Sequence, residues 1–101
     1  MKKALFIALF LNALSRLYAT EIKLYPNPTE GIVNIEIAHQ SKSGKILFYN
    51  FIGEQIGEQI IIPNQSMYHF NLFEYPVGTY FANVRYNNGQ SQTIKFSKTN
   101  P

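Results

Sequence analysis

Hydrophobic and polar residues alternate along much of the chain after residue 20. Val33, Ile35 and Ile37 are apolar and the residues between them are polar, a two-residue period that predicts a strand with one buried face. The same alternation recurs over 67–72 and 79–86. These segments are therefore predicted as strands of a sheet that is covered on one side.

Further strands follow from β-branched and aromatic runs bounded by turn residues. Residues 45–51 (KILFYNF) predict a strand that is buried on both faces. Asn87-Asn88-Gly89 predicts a tight type I′ hairpin, because Asn and Gly tolerate positive φ. The predicted strands are 22–25, 33–37, 45–51, 55–62, 67–72, 79–86 and 90–96. About seven short strands with this spacing indicate an all-β fold, an antiparallel β-sandwich.

One segment also fits a helix. Residues 53–60 repeat GEQI in tandem, and Ile56 and Ile60 are four residues apart, as on one helix face. The two glycines and the isoleucines that follow favour a strand or hairpin instead. A duplication of four residues is too short to indicate a repeat architecture.

The first twenty residues have the organisation of an export signal. Residues 1–3 (MKK) are basic, residues 4–11 (ALFIALFL) are apolar, and residues 15–20 are small and polar. The apolar run is shorter than the ~20 residues that span a bilayer, so no transmembrane anchor is predicted. We expect a Sec signal peptide that is cleaved after Ala19, with Ser15 as the alternative, so that residues 1–19 are the signal and 20–101 the domain.

Composition then excludes several functions. The 101 residues contain no Cys and no Asp, which removes disulfides, thiolate metal sites and a lipoprotein anchor. Lys2, Lys3 and Arg16 lie in the signal region, so the net charge of +3 disappears from 20–101, which has six basic and six acidic residues. A balanced domain gives no support to nucleic-acid binding.

Nothing in the sequence indicates catalysis. His39 and His69 are the only histidines and fall in different predicted strand neighbourhoods. Neither G-x-S-x-G nor H-E-x-x-H occurs, and glycine-rich phosphate loops are absent. The expectation is a protein that is not an enzyme and has no cofactor, no metal and no catalytic residue.

The most specific run is YPNPTEGIVNI at residues 25–35. Pro26 and Pro28 each remove a backbone donor, so this segment is not a central strand. The prolines favour extended conformations at Tyr25 and Asn27 before them. Gly31 is expected to permit a turn into the next strand.

This run resembles the opening of the C-terminal sorting domain (type A) of the type IX secretion system, whose members begin with Y-P-N-P-x-x-G. Residues 46–56 are similar to the family's central hairpin, with Gly53 at the turn. Residues 72–80 (LFEYPVGTY) match at Pro76, Gly78 and Tyr80, although Tyr75 stands where the family has leucine. Residues 93–96 resemble the terminal strand, with Lys95 as its basic residue. Three residues, 99–101, follow where family chains usually end.

The resemblance implies an immunoglobulin-like sandwich that is recognised by type IX secretion components of a Gram-negative bacterium. Sec export to the periplasm would precede passage across the outer membrane, leaving the protein secreted or at the cell surface. The family further implies removal of the domain by a sortase-like peptidase and attachment to surface lipopolysaccharide. The residues that carry the sorting motif are Tyr25, Pro26, Asn27, Pro28, Gly31, Gly53, Pro76, Gly78, Tyr80 and Lys95.

Two other interpretations remain open at the level of sequence. A small periplasmic or surface binding module could use its edge strands, including the apolar residues 60–62, to pair with a partner strand. A truncated remnant of a larger secreted protein is the other interpretation, since family members carry this domain behind a cargo and here the expected signal peptide runs directly into it.

Overall fold

The computed structural model of the protein describes residues 21–38 and 41–100, which form seven strands and no helix. The expected signal peptide, residues 1–19, lies outside the described residues, as does His39. The strands are β1 (Ile22–Tyr25), β2 (Ile32–Ile37), β3 (Gly44–Asn50), β4 (Gln55–Ile61), β5 (Met67–Asn71), β6 (Gly78–Tyr86) and β7 (Ser91–Lys98). The predicted all-β fold is confirmed.

The strands form two antiparallel sheets packed face to face. One sheet has the order β1-β2-β5 and the other has the order β4-β3-β6-β7. The predicted alternation sets the faces, because Val33, Ile35 and Ile37 of β2 are fully buried between the sheets. The described part of the chain is thus an antiparallel β-sandwich.

Aromatic rings join the two layers at the centre of the core. The rings of Phe48 on β3 and Phe70 on β5 stack with centroids 4.0 Å apart. Gly57 on β4 lies beneath Phe70, where an added Cβ would be 2.2 Å from a ring carbon. The glycine is therefore required by the close approach of the ring, and β4 could not carry a side chain there without moving Phe70.

The structure shows how far β3 is buried and which conformation residues 53–60 adopt. Ile46, Leu47 and Phe48 are buried, but Lys45 is exposed and Tyr49 half-buried, so burial on both faces holds only at the middle of β3. No layer covers the outer face of this sheet in the described residues, which explains the difference. Residues 55–60 of the GEQI tandem lie in strand β4, Gly53 and Glu54 lie in the turn before it, and the helical interpretation is wrong.

The hairpin between β6 and β7 differs from the prediction of type I′. Gly89 has φ of 95°, but Asn87 and Asn88 are not among the described residues with positive φ. The Gly89 N–H donates to Tyr86 O at 3.0 Å, and the Tyr86 N–H donates to Gln90 O at 2.8 Å. Only one residue thus adopts the left-handed conformation, which is the three-residue loop with a glycine bulge rather than the two-residue turn.

The strand directions define two ends of the sandwich. Because the pairs are antiparallel, the loops 26–31, 51–54 and 72–77 and residues 99–100 lie at one end, which we call the distal end. The other, proximal end carries Glu21, where the described chain begins, and the loops 41–43, 62–66 and 87–90. All ten predicted motif residues except Lys95 lie at or next to the distal end.

Candidate functional site

The residues 26–31, here called the proline loop, connect β1 to β2 at the distal end. Tyr25 ends β1 with a partly exposed ring, and its hydroxyl lies 3.8 Å from Met67 Sδ. Pro26 and Pro28 both follow cis peptide bonds and are exposed. Neither proline has a backbone donor, so the hydrogen bonds of this loop come from the residues between and after them.

The Asn27 side chain stands in for a peptide group beside β7. Its Nδ2 donates to Lys95 O at 3.5 Å, and its Oδ1 accepts from the Ser97 N–H at 3.1 Å. A carboxamide presents the same donor and acceptor as a backbone peptide. Asn27 therefore satisfies two backbone groups at the edge of β7 without being part of a strand.

Thr29 continues the pairing toward the end of β7. Its N–H donates to Ser97 O at 2.9 Å, and its carbonyl accepts from the Thr99 N–H at 2.8 Å. The two segments run parallel here, with Thr29 opposite Lys98. Asn27 and Thr29 together cover the edge of β7 from Lys95 to Thr99, and edge strands are otherwise open to pairing with other chains.

The Thr29 hydroxyl and Gly31 fix the exit of the proline loop. The hydroxyl accepts from the Gly31 N–H at 3.1 Å and donates to Ile32 O at 2.6 Å. Gly31 lies against Phe73, where an added Cβ would be 2.4 Å from the ring. Gly31 is not among the glycines with positive φ, so its requirement is close packing and not the turn expected from the sequence.

Lys98 is the one buried cation of the described residues, with 2% of its surface exposed. Its Nζ donates to Tyr75 O at 2.6 Å and to Phe73 O at 3.4 Å. Neither ion pair found among the described residues includes Lys98. The carbonyls of the loop 72–77 thus solvate its ammonium, which links the last strand to that loop.

Tyr80 links the start of β6 to the loop before it. Its hydroxyl donates to Pro76 O, and its ring packs on Phe96 with centroids 5.9 Å apart. Burial raises the pKa of the Tyr80 phenol above its usual 10.0, and the neighbouring Tyr75 phenol adds to the rise. Gly78 begins β6 opposite Lys98. The matched segment 76–80 therefore shapes the contact with β7.

The structure brings most of the predicted residues together and assigns them different roles. Two groups of these residues flank the end of β7, one on each side. One group is Tyr25 to Gly31, and the other is the segment with Pro76, Gly78 and Tyr80. Lys95 takes part through its carbonyl, whereas its side chain is exposed. Gly53 lies apart, in the hairpin between β3 and β4, with φ of 88°.

Several residues of this arrangement were missed by sequence reasoning. They are Thr29, Phe73, Ser97 and Lys98. Lys98 had one available signal, since it is in phase with Phe96 on the inward side of β7. A lysine at the end of a chain is usually exposed, so the phase alone did not identify it.

The distal end also has two apolar grooves. One of about 270 Å³ lies between the hairpin tip at Phe51 and Ile52 and the segment 75–80. The other, of about 400 Å³, lies between the proline loop and Phe73. Phe51 and Ile52 are 73% and 75% exposed, the highest values among the large hydrophobic residues that the structure describes.

The sequence matches one family model over this whole arrangement. The model described as "Secretion system C-terminal sorting domain" matches residues 23–98, from β1 to the last residue of β7. The chain belongs to this family of sorting domains. The resemblance found in the sequence is thereby confirmed, and the protein is a type IX secretion sorting signal.

A solved structure supports the fold of this sorting domain independently. A DUF3244 family protein with an immunoglobulin-like β-sandwich fold, from Bacteroides vulgatus ATCC 8482, is similar with a TM-score of 0.62 and 14% sequence identity. The similarity covers 79% of this chain and 96% of that one. At this identity the likeness shows the fold alone, which is the predicted immunoglobulin-like sandwich. No curated protein matches the sequence.

Family membership has consequences for partners and location. A type IX sorting domain interacts with the secretion machinery and belongs to a secreted or cell-surface protein. Within residues 21–38 and 41–100, no helix has the length and apolar character needed to cross a membrane.

Proposed function

We propose that residues 1–19 deliver the chain through the Sec pathway to the periplasm, where the sorting domain directs it across the outer membrane. Signal peptidase would remove the signal after Ala19 or after Ser15. The observation that carries the proposal is the family match over 23–98, which includes both the proline loop and the β7 edge that it covers. The basic, apolar and small-residue order of the first twenty residues supports the Sec step.

We further propose that a sortase-like peptidase cleaves the exported chain near the start of the domain, and that any protein joined to the domain there is attached to surface lipopolysaccharide. The position of Glu21 supports cleavage at the start of the domain. Glu21 is exposed at the proximal end, whereas the proline loop and the last residues of β7 lie at the distal end. A peptidase acting near this point would leave the arrangement at the distal end untouched.

A recognition role without catalysis is the third part of the proposal. Among the described residues, no group of three or more His, Cys, Asp or Glu side chains could hold a metal ion. His69 Nδ1 lies within hydrogen-bond distance of Asn34 Oδ1 on the neighbouring strand, which is a cross-strand contact on the outer face. The family match over residues 23–98 supports this recognition role.

A reporter experiment tests the sorting role. A fluorescent protein is inserted between Thr20 and Glu21 of the full chain and expressed in a host with the type IX machinery and in the same host without it. We expect fluorescence in the medium or on the cell surface only where the machinery is present. Periplasmic fluorescence in both hosts would reject the role, and an unprocessed cytoplasmic fusion would reject the Sec step.

A further inference from the structure

The two ends of the sandwich differ in chemistry. Large hydrophobic side chains are exposed at the distal end, where Phe51, Ile52, Phe73 and Val77 have between 54% and 75% of their surface in solvent. The proximal loops 41–43, 62–66 and 87–90 consist of polar residues and glycine apart from Ile62 and Pro63, and Ile62 is 52% exposed. Exposed apolar groups that cluster at one end of a small domain are typical of an interaction surface.

The apolar pair at the hairpin tip is not required by the turn. The Gly53 N–H donates to Asn50 O at 3.1 Å, and the Asn50 N–H donates to Glu54 O at 3.0 Å. The hairpin of residues 86–90 has the same two backbone bonds and the same positive φ at its glycine, yet its tip is Asn87-Asn88. The chain itself therefore shows that two asparagines fit this turn, so Phe51-Ile52 has another role.

This tip is also held in place. The Glu54 N–H donates to Asn50 Oδ1 at 2.9 Å, and Asn50 Nδ2 donates to Glu54 Oε1 at 3.2 Å. These bonds fix both strands of the hairpin next to the exposed pair. A surface that is ordered before binding loses less conformational entropy when a partner docks.

The exposed charge at the distal end is acidic. Glu30, Glu54 and Glu74 are exposed there, and none takes part in the two ion pairs found among the described residues. The loops 26–31, 51–54 and 72–77 contain no Lys or Arg. The Lys98 ammonium is buried against carbonyls and is not an exposed cation at this end.

We propose that the distal end docks onto a protein partner that presents an apolar pocket bordered by Lys or Arg. The exposed Phe51-Ile52 pair and Val77 would enter the pocket, and the three carboxylates would face the basic border. An anionic lipid surface fits less well, since the carboxylates would meet like charge. That the partner is a component of the secretion machinery rests on the proposed function.

Photocrosslinking in the secreting host tests the docking surface. The full chain carries a benzophenone amino acid in place of Phe51 or Val77, and in place of Ile60 as a control of similar exposure away from the distal end. We expect a protein adduct at 51 and 77 and none at 60. Adding Glu30→Lys with Glu74→Lys should lower the yield at least about tenfold, the loss expected when the charges that face a basic border are reversed. Glu36→Lys, on an outer strand face, is the control and should leave the crosslinking yield unchanged.

A matched variant tests the apolar pair without disturbing the turn. Phe51→Asn with Ile52→Asn copies the tip of the hairpin at 87–88, so the thermal midpoint should stay close to that of the parent chain. Crosslinking through position 77 should again fall at least about tenfold, as for a central hot spot. Ile60→Thr should leave crosslinking unchanged.

Each outcome decides between the interpretations. Three results would overturn the docking proposal, even if the chain is secreted. They are the absence of an adduct at positions 51 and 77, adducts with lipid only, and protein adducts whose yield does not change when the glutamates are replaced by lysine. A charge-dependent protein adduct that persists in a host without the type IX machinery would support docking and reject the machinery as the partner. Loss of the adduct in that host would support both.

Discussion

At two positions of this protein, an asparagine side chain replaces a peptide group and backbone carbonyls replace a counterion. Asn27 takes the part of a peptide group for Lys95 O and the Ser97 N–H, and carbonyls of the loop 72–77 take the part of a counterion for Lys98. Both interactions join residues far apart in the chain. Changes at Asn27 and Lys98 are therefore expected to lower stability, although Asn27 is exposed.

Replacing Asn27 tests the peptide-like role. Asn27→Asp keeps the acceptor for the Ser97 N–H but turns a donor into an oxygen that faces Lys95 O. We expect a loss of about 1–2 kcal/mol in the free energy of unfolding, which urea denaturation measures. Asn87→Ala, at an exposed hairpin tip, should cost less than about 0.5 kcal/mol. Equal stabilities of the two variants would contradict the role.

Replacing Lys98 tests the solvation of the buried ammonium. Lys98→Met has a similar shape but leaves Tyr75 O and Phe73 O without their donor. The expected loss is about 2–3 kcal/mol, because unpaired buried carbonyls retain their desolvation cost. Lys95→Met, on an exposed position of the same strand, is the control and should cost less than about 0.5 kcal/mol. A Lys98→Met protein as stable as the control would show that the carbonyls have other partners.

Tyr80 makes the stability depend on pH in the alkaline range. Since its folded pKa is raised above 10.0, the folded state holds the phenol proton more tightly than the unfolded state. Its contribution is therefore complete below pH 10 and is lost as pH rises above it. Tyr80→Phe should remove the bond to Pro76 O, costing about 1 kcal/mol at neutral pH, and should flatten the decline above pH 10. The free energy of unfolding is measured from pH 7 to 11 for the parent chain and for Tyr80→Phe. An equal decline with pH in the two proteins would contradict this assignment.

At the scale of elements, glycine is required in this sandwich for two different reasons. Gly53 and Gly89 have positive φ and open space around a Cβ, so their requirement is local backbone conformation. Gly57 lies under the Phe70 ring, so its requirement comes from the opposite sheet. The two kinds of glycine should respond differently to the same substitution.

Alanine at these glycines separates the two requirements. Gly53→Ala should cost about 1–2 kcal/mol from backbone conformation alone. Gly57→Ala should cost about 1–3 kcal/mol from overpacking, and Phe70→Leu should restore part of that loss. A double-mutant cycle by urea denaturation measures the coupling. Phe70→Leu should not rescue Gly53→Ala, and additive effects for Gly57 and Phe70 would refute the packing explanation.

For the whole molecule, the topology places the first loop against the last strand. The proline loop covers the edge of β7, and residues of β7 complete the core and contact the loop 72–77. Folding of the domain therefore depends on residues near its very end. The short segment after β7 contributes less, through the Thr99 N–H to Thr29 O and Asn100 Nδ2 to Glu30 Oε1.

Truncation tests this dependence on the last strand. Removing residues 99–101 should cost about 1–2 kcal/mol, since two hydrogen bonds at most are lost from the described part of the segment. Removing residues 96–101 deletes Phe96 and Lys98 and should prevent folding, because a domain of this size has little stability to spare. Circular dichroism and limited proteolysis measure both. A folded protein lacking residues 96–101 would contradict the requirement for β7 in folding.

The strands and most turns followed from the sequence because they depend on neighbours in the chain. Alternation placed β2, β5 and β6 within a residue or two, and glycine with polar residues located the hairpin at 87–89. The type of that hairpin was wrong, since Asn-Asn-Gly suits either a two-residue or a three-residue loop. The motif residues were named from the resemblance to the family, whereas their contacts became visible only in the structure.

The sequence by itself determined the all-β class, the number of strands and the family, since these rest on local periodicity and on a specific run of residues. Only the tertiary structure decided that Asn27 pairs with β7, that Lys98 is buried, and that Gly31 and Gly57 lie beneath aromatic rings. Asn27 and its partners are 68 and 70 residues apart. Contacts at such separation depend on how the two sheets pack, and no local pattern encodes the partner of a side chain across that distance.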